Sequence, residues 1–196
     1  MKIGILQADS VRPEFREEFG NYPGMIQLLL EASRDEEEDL TFTTYDVVQG
    51  EYPDELTACD GYVITGSASS VYDDEPWIHQ LRKFVVRLHK TRTKTVGICF
   101  GHQMIALALD GVAGAADQGW EVGIHESTVV AQSPLCHRHL RRYLCFIVIG
   151  IKCQNYLPVL NYLLVMIFAL CRCMLSTLTC SHFRATRNSS RGTQKS

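Results

Sequence analysis

The sequence predicts an α/β fold built on a mostly parallel sheet, and three observations carry that prediction. Short β-rich or apolar runs at residues 2–6, 40–48, 61–65 and 94–98 are separated by stretches with helical spacing. Strands that alternate with helices require right-handed crossovers, which make neighbouring strands parallel and cover both faces of the sheet. Two of the runs end in glycine-bearing loops, at Gly66 and around Cys99. In such sheets ligands bind beyond the carboxyl ends of the strands, so these two loops are the candidate site.

Each element has its own signal. Residues 2–6 (KIGIL) read as a buried first strand, and a polar segment follows. Pro23-Gly24 marks a turn, and residues 25–32 (MIQLLLEA) read as a helix. The acidic run at 35–39 reads as a solvated loop or helix end. Residues 40–48 (LTFTTYDVV) alternate as a strand does, and 50–60, with Pro53 inside, form a connection. Residues 61–65 (GYVIT) form a second buried strand, ending in Gly66-Ser67-Ala68-Ser69-Ser70. Residues 75–89 place apolar side chains at 77, 78, 81, 84, 85 and 88, the spacing of a helix, with Pro76 near its start where proline is tolerated. Residues 94–98 (KTVGI) form a third buried strand, and 101–109 a strong helix stopped by Asp110-Gly111. Residues 120–125 (WEVGIH) alternate as a further strand.

The composition breaks in the middle of the chain. The 196 residues carry a net charge of −3 and 46% apolar residues, which excludes wholesale disorder. Residues 1–126 hold all 22 acidic residues against 10 basic ones, a balance of −12; residues 127–196 hold 9 basic residues and no acid. Six of the eight cysteines also lie late, from Cys136 to Cys180. The sequence therefore reads as a domain at 1–130 and an unrelated basic, cysteine-rich, apolar tail at 131–196, polar and disordered in its last part. Cys171-Arg-Cys173 has no second cysteine pair at suitable spacing, so no metal site is expected. The N-terminus lacks the long apolar stretch of a signal peptide, and the expected compartment is cytoplasmic.

The chemistry concentrates at residues 97–103, Gly-Ile-Cys-Phe-Gly-His-Gln. A buried strand runs into Cys99 and a helix leaves it, the arrangement of a nucleophile elbow with cysteine in place of serine. Gly97 and Gly101 allow the tight turn. The helix N-terminus is expected to favour the Cys99 thiolate, and the Phe100 N–H is placed to bind a developing oxyanion.

On these residues the sequence resembles the class I glutamine amidotransferases. The GICFGHQ segment is similar to that family's nucleophile motif, and the Gly66-Ser67 loop to its glycine loop. Ser70-Val71-Tyr72-Asp73, Glu75-Pro76-Trp77-Ile78 and Gly119-Trp120-Glu121-Val122-Gly123 resemble stand-alone members related to the amidotransferase part of GMP synthetase. The resemblance covers about residues 1–130. It implies a flavodoxin-like three-layer fold, here incomplete on its C-terminal side. It also implies hydrolysis of the γ-amide of glutamine, or of a γ-glutamyl compound, through a cysteine thioester without a cofactor. Cys99 would then be the nucleophile, Gly66 and Phe100 the oxyanion donors, and Ser67 and Gln103 would help to hold the substrate. A flavodoxin-type carrier explains the sheet but not GICFGHQ.

The base is missing. A cysteine of this kind needs a base and a group that orients it, which the family supplies as a downstream His-x-Glu. After Glu126 only His137, His139 and His182 remain, and Arg184 stands where a glutamate should follow His182. His102 is expected to pack or hydrogen-bond rather than carry protons. His125 and Glu126, adjacent on a strand, would face opposite sides. Three readings follow: an impaired amidotransferase or γ-glutamyl hydrolase, a catalytically dead binding homologue or frameshift product, and a membrane-anchored α/β protein. The apolar runs at 143–151 and 156–175 are too short or too interrupted to span a bilayer cleanly, and aggregation is the stronger expectation. The basic tail has no aromatic platform or motif for nucleic acid, and no nucleic-acid partner is expected. A synthetase partner stays open.

Overall fold

In a computed structural model the described residues are 1–32, 39–115 and five strand backbones at 121–129, 142–149, 151–154, 163–166 and 183–185. The core is a parallel sheet of β1 (Lys2–Gln7), β2 (Thr41–Asp46), β3 (Gly61–Ile64), β4 (Lys94–Ile98) and β9 (Leu163–Met166), in the order β2-β1-β3-β4-β9. Helix α2 (Tyr22–Glu31) covers one face, and α3 (Pro76–Lys90) and α4 (Phe100–Ala108) cover the other. The fold is α/β and flavodoxin-like, with three layers.

The period-two rule sorts the side chains between the faces. Ile3, Ile5, Val63 and Ile98 meet Ile26 of α2. Leu6, Tyr62 and Ile64 point the other way and pack with Leu81, Phe84, Val85 and Leu88 of α3 and with Phe100, Met104 and Ile105 of α4. Tyr62 meets Phe84 edge-on at 5.8 Å, a favourable aromatic arrangement.

Two details differ from the sequence reading. The polar segment after β1 contains a further helix, α1 (Pro13–Phe19), which buries none of its residues and so shows no apolar stripe. Pro23-Gly24 is not a turn but the first turn of α2, where proline's missing N–H costs nothing. The acidic run lies outside the described residues except for Asp39.

The stretch beyond residue 130 contributes strands. β7 (Arg142–Ile149) pairs antiparallel with β6 (Glu121–Val129), which also pairs with β10 (Phe183–Ala185). β8 (Ile151–Gln154) pairs with β5 (Val112–Ala115), and β9 lies parallel to β4. The C-x-C at 171–173 and His137, His139 and His182 lie outside the described residues. Among the described residues no helix is long and apolar enough to cross a membrane.

The glycines of the elbow serve close approach rather than unusual dihedrals, since neither Gly97 nor Gly101 has positive φ. A Cβ on Gly97 would lie 2.4 Å from the Gly101 carbonyl carbon, and one on Gly101 would lie 2.6 Å from the Ile64 carbonyl oxygen. Both neighbours are backbone and cannot swing aside. Gly24, also helical, has nothing within 4 Å. Gly101→Ala is therefore expected to cost about 1–3 kcal/mol despite its gain in helix propensity, whereas Gly24→Ala should be neutral or stabilising by up to about 1 kcal/mol. Urea unfolding midpoints of the two variants check this.

Candidate active site

Cys99 follows β4 directly and caps α4, with φ 50° and ψ −105°. A non-glycine residue at positive φ is strained by about 1–3 kcal/mol, and such strain clusters where a side chain must be presented. The strain is held by what surrounds it. The Gln103 N–H donates to the Cys99 carbonyl at 3.1 Å. Phe100 is buried and its ring lies 5.5 Å from that of Trp77 on α3. The first residue of α4 is thus locked into the core while Cys99 stays half-buried at the sheet's carboxyl edge.

The Gly66 loop comes up beside it. A Cβ on Gly66 would sit 3.7 Å from the Cys99 Cβ, ordinary van der Waals contact, so glycine here leaves space beside the thiol. Ser67 accepts the Ser69 N–H on its Oγ at 3.1 Å and shapes the loop. Cys99, Gly66, Ser67 and Phe100, expected together from sequence, are neighbours in the fold. Gln103 sits one turn into α4 and is buried.

The electrostatics correct one expectation. Burial pushes the Cys99 thiol pKa up, and the hydrogen bond from the Phe100 N–H offsets only part of that. The helix end does assist the thiolate, but desolvation outweighs it. His102 is buried, and burial pulls its pKa down to about 4, so it is neutral at pH 7. It packs in the core, as expected. Among the described residues no group of three His, Cys, Asp or Glu is arranged to hold a metal.

Two further residues at this edge escaped the sequence reading. Burial raises the pKa of Tyr22, and the charges of Asp9 and Cys99 add to that. Nothing in sequence marks Tyr22, because it stands in α2 far from the motif. Asp9 had no signal beyond its place at the end of β1.

Known proteins resemble the chain in sequence and in fold. A glutamine amidotransferase-like protein of Schizosaccharomyces pombe is 36% identical over 137 residues, 65% of this chain and 54% of that protein. In sequence the chain is glutamine amidotransferase-like. Another relative, γ-glutamyl peptidase 5 of Arabidopsis thaliana, is 36% identical over 89 residues, 44% of this chain and 36% of that protein. The chain spans about half the length or less of these relatives. The crystal structure of a Thermotoga maritima glutamine amidotransferase shares the fold, with a TM-score of 0.61 at 19% identity over 78% of this chain and 62% of that one. No protein-family model matches the chain.

Two pH effects follow. Alkylation of Cys99 by iodoacetamide should rise with pH along a curve whose midpoint lies above the ordinary thiol value of about 8.5, followed by peptide mass spectrometry. For His102 the folded pKa lies below the unfolded value. The unfolded chain therefore takes up the proton first as pH falls from about 6.5 towards 4, and stability drops across that window. The loss is on the order of 3 kcal/mol by pH 4, and His102→Gln should flatten that part of the pH profile of unfolding.

Proposed function

We propose that this chain carries out γ-glutamyl acyl chemistry, with Cys99 as the nucleophile toward the side-chain carbonyl of glutamine or a γ-glutamyl compound. The observation that carries it is the strained cysteine at a strand–helix elbow, beside a glycine loop and over a helix N-terminus. The thiolate sulfur attacks the γ-carbonyl carbon, and the oxygen becomes an oxyanion within reach of the Phe100 and Gly66 N–H groups. Collapse forms a Cys99 thioester and releases the amine, which takes a proton. Ser67 and Gln103 help to hold the glutamyl part. Water then frees glutamate. Preorganised N–H donors of this kind are each worth about 10²–10³ in rate.

Turnover needs a base that returns a proton to the leaving amine. The chain has no acid after Glu126, so the His-x-Glu pair is lacking there and the proposed chemistry is impaired at acylation, where the leaving amine needs its proton, and again at hydrolysis of the thioester. That absence favours one second reading, a binding or regulatory homologue that captures γ-glutamyl compounds without turning them over. The named γ-glutamyl peptidases make a γ-glutamyl peptide as fitting a substrate as glutamine. A partner synthetase receiving ammonia is the finer alternative. The division into a domain at 1–130 and a separate tail at 131–196, and a cytoplasmic location, belong to the same proposal.

A chloroketone analogue of glutamine tests it. The full chain should take up one equivalent, on Cys99, at least about tenfold faster than it reacts with iodoacetamide at equal concentration, and Cys99→Ser should take up none. Buried Cys59 should stay unlabelled. Equal reactivity of Cys99 toward both reagents defeats the proposal.

A further inference from the structure

We infer that Asp9 is a positioning residue for the Gly66 loop, and that the position requires a carboxylate rather than an amide. Its consequence for catalysis rests on the γ-glutamyl chemistry proposed for Cys99; its consequence for the loop rests on geometry alone. Asp9 lies just past the end of β1. Its two oxygens accept from two different backbone N–H groups, Oδ1 from Ser10 and Oδ2 from Ala68, each at 2.7 Å. The second bond joins segments 59 positions apart and ties the carboxyl end of β1 to the loop after β3.

The grip has two sides. On the near side of Gly66, the buried Thr65 hydroxyl accepts the Ala8 N–H at 2.8 Å and donates to the Gly66 carbonyl at 3.0 Å. On the far side, Asp9 takes the Ala68 N–H. The segment between them is Gly66-Ser67, and among the described residues no hydrogen bond engages the N–H of either. The loop is therefore held at both shoulders, with Gly66 beside Cys99. Ser10 is itself held, its Oγ accepting from Gln7 Nε2 at 2.8 Å and from Asn21 Nδ2 at 3.4 Å.

The carboxylate requirement follows from counting donors. Two N–H groups converge on two separate oxygens, and a carboxylate accepts at both. Asparagine offers one oxygen and one NH₂, so whichever way it turns, one N–H faces another donor. A charge-assisted bond is also replaced by a neutral one. The change is isosteric, so packing is unaltered while the loop loses one shoulder.

Asp9→Asn in the full chain tests this with two readouts. Hydrogen exchange at the Ala68 amide should quicken about tenfold or more, with the α4 amides unchanged. The ratio of glutamine-chloroketone to iodoacetamide labelling at Cys99 should fall about tenfold, with the iodoacetamide rate itself unchanged, because only the first reagent forms an oxyanion. Asp9→Glu, which keeps both oxygens, should restore part of each effect. Unchanged exchange at Ala68 overturns the inference. Faster exchange with an unchanged labelling ratio, in a chain whose parent is glutamyl-selective, overturns the positioning role alone. A parent chain without selectivity instead defeats the proposed function and the catalytic part of this inference with it. If Asp9→Asn does not fold, Ala68→Pro removes the donor from the other side and should give the same split between the two reagents.

Discussion

The close approach of α4 to the ends of β3 and β4 is the constraint on which the rest of the molecule depends. Cys99 adopts a backbone conformation that a cysteine in a free peptide would leave. It stays there because Gly97 and Gly101 have no Cβ, which lets the first turn of the helix press onto two strand ends. The compensation comes from burial elsewhere. Phe100, Met104 and Ile105 enter the main apolar cluster with α3 and the sheet, and the core supplies what the elbow spends. A side chain at either glycine would push α4 outward and relax Cys99 into an ordinary capping residue.

The same geometry explains the thiol's electrostatics. A helix N-terminus helps an anion, yet here the helix start is sunk in apolar surroundings, and desolvation outweighs the single N–H it offers. The result is a cysteine held as a thiol until something at the rim stabilises its anion. The stretch after Glu126 holds no carboxylate. The strand β9 nevertheless extends the parallel sheet beside β4, so the late stretch adds backbone pairing without adding acid.

Much of the fold was legible because its signals are local. The four early strands and α3 and α4 announce themselves by runs or periodicity of apolar residues, and all appear within a few residues of their predicted limits. Helix α1 was invisible because it buries nothing, and the start of α2 was hidden because Pro23-Gly24 serves a helix as readily as a turn. At the site, Cys99, Gly66, Ser67, Phe100 and Gln103 came from one contiguous motif and one loop. Asp9 and Tyr22 did not, since each is a single polar residue whose role exists only relative to segments far along the chain.

The sequence by itself determined the α/β class, the strand–Cys99–helix elbow and the lack of carboxylates at 127–196, because each is written in residue type and short spacing. Only the tertiary structure decided why the two elbow glycines are needed, which way the Cys99 pKa moves, and that Asp9 holds the loop that faces it. Those depend on distances between segments tens of residues apart and on how deeply the chain buries a charge. Neither quantity has a local signature in sequence.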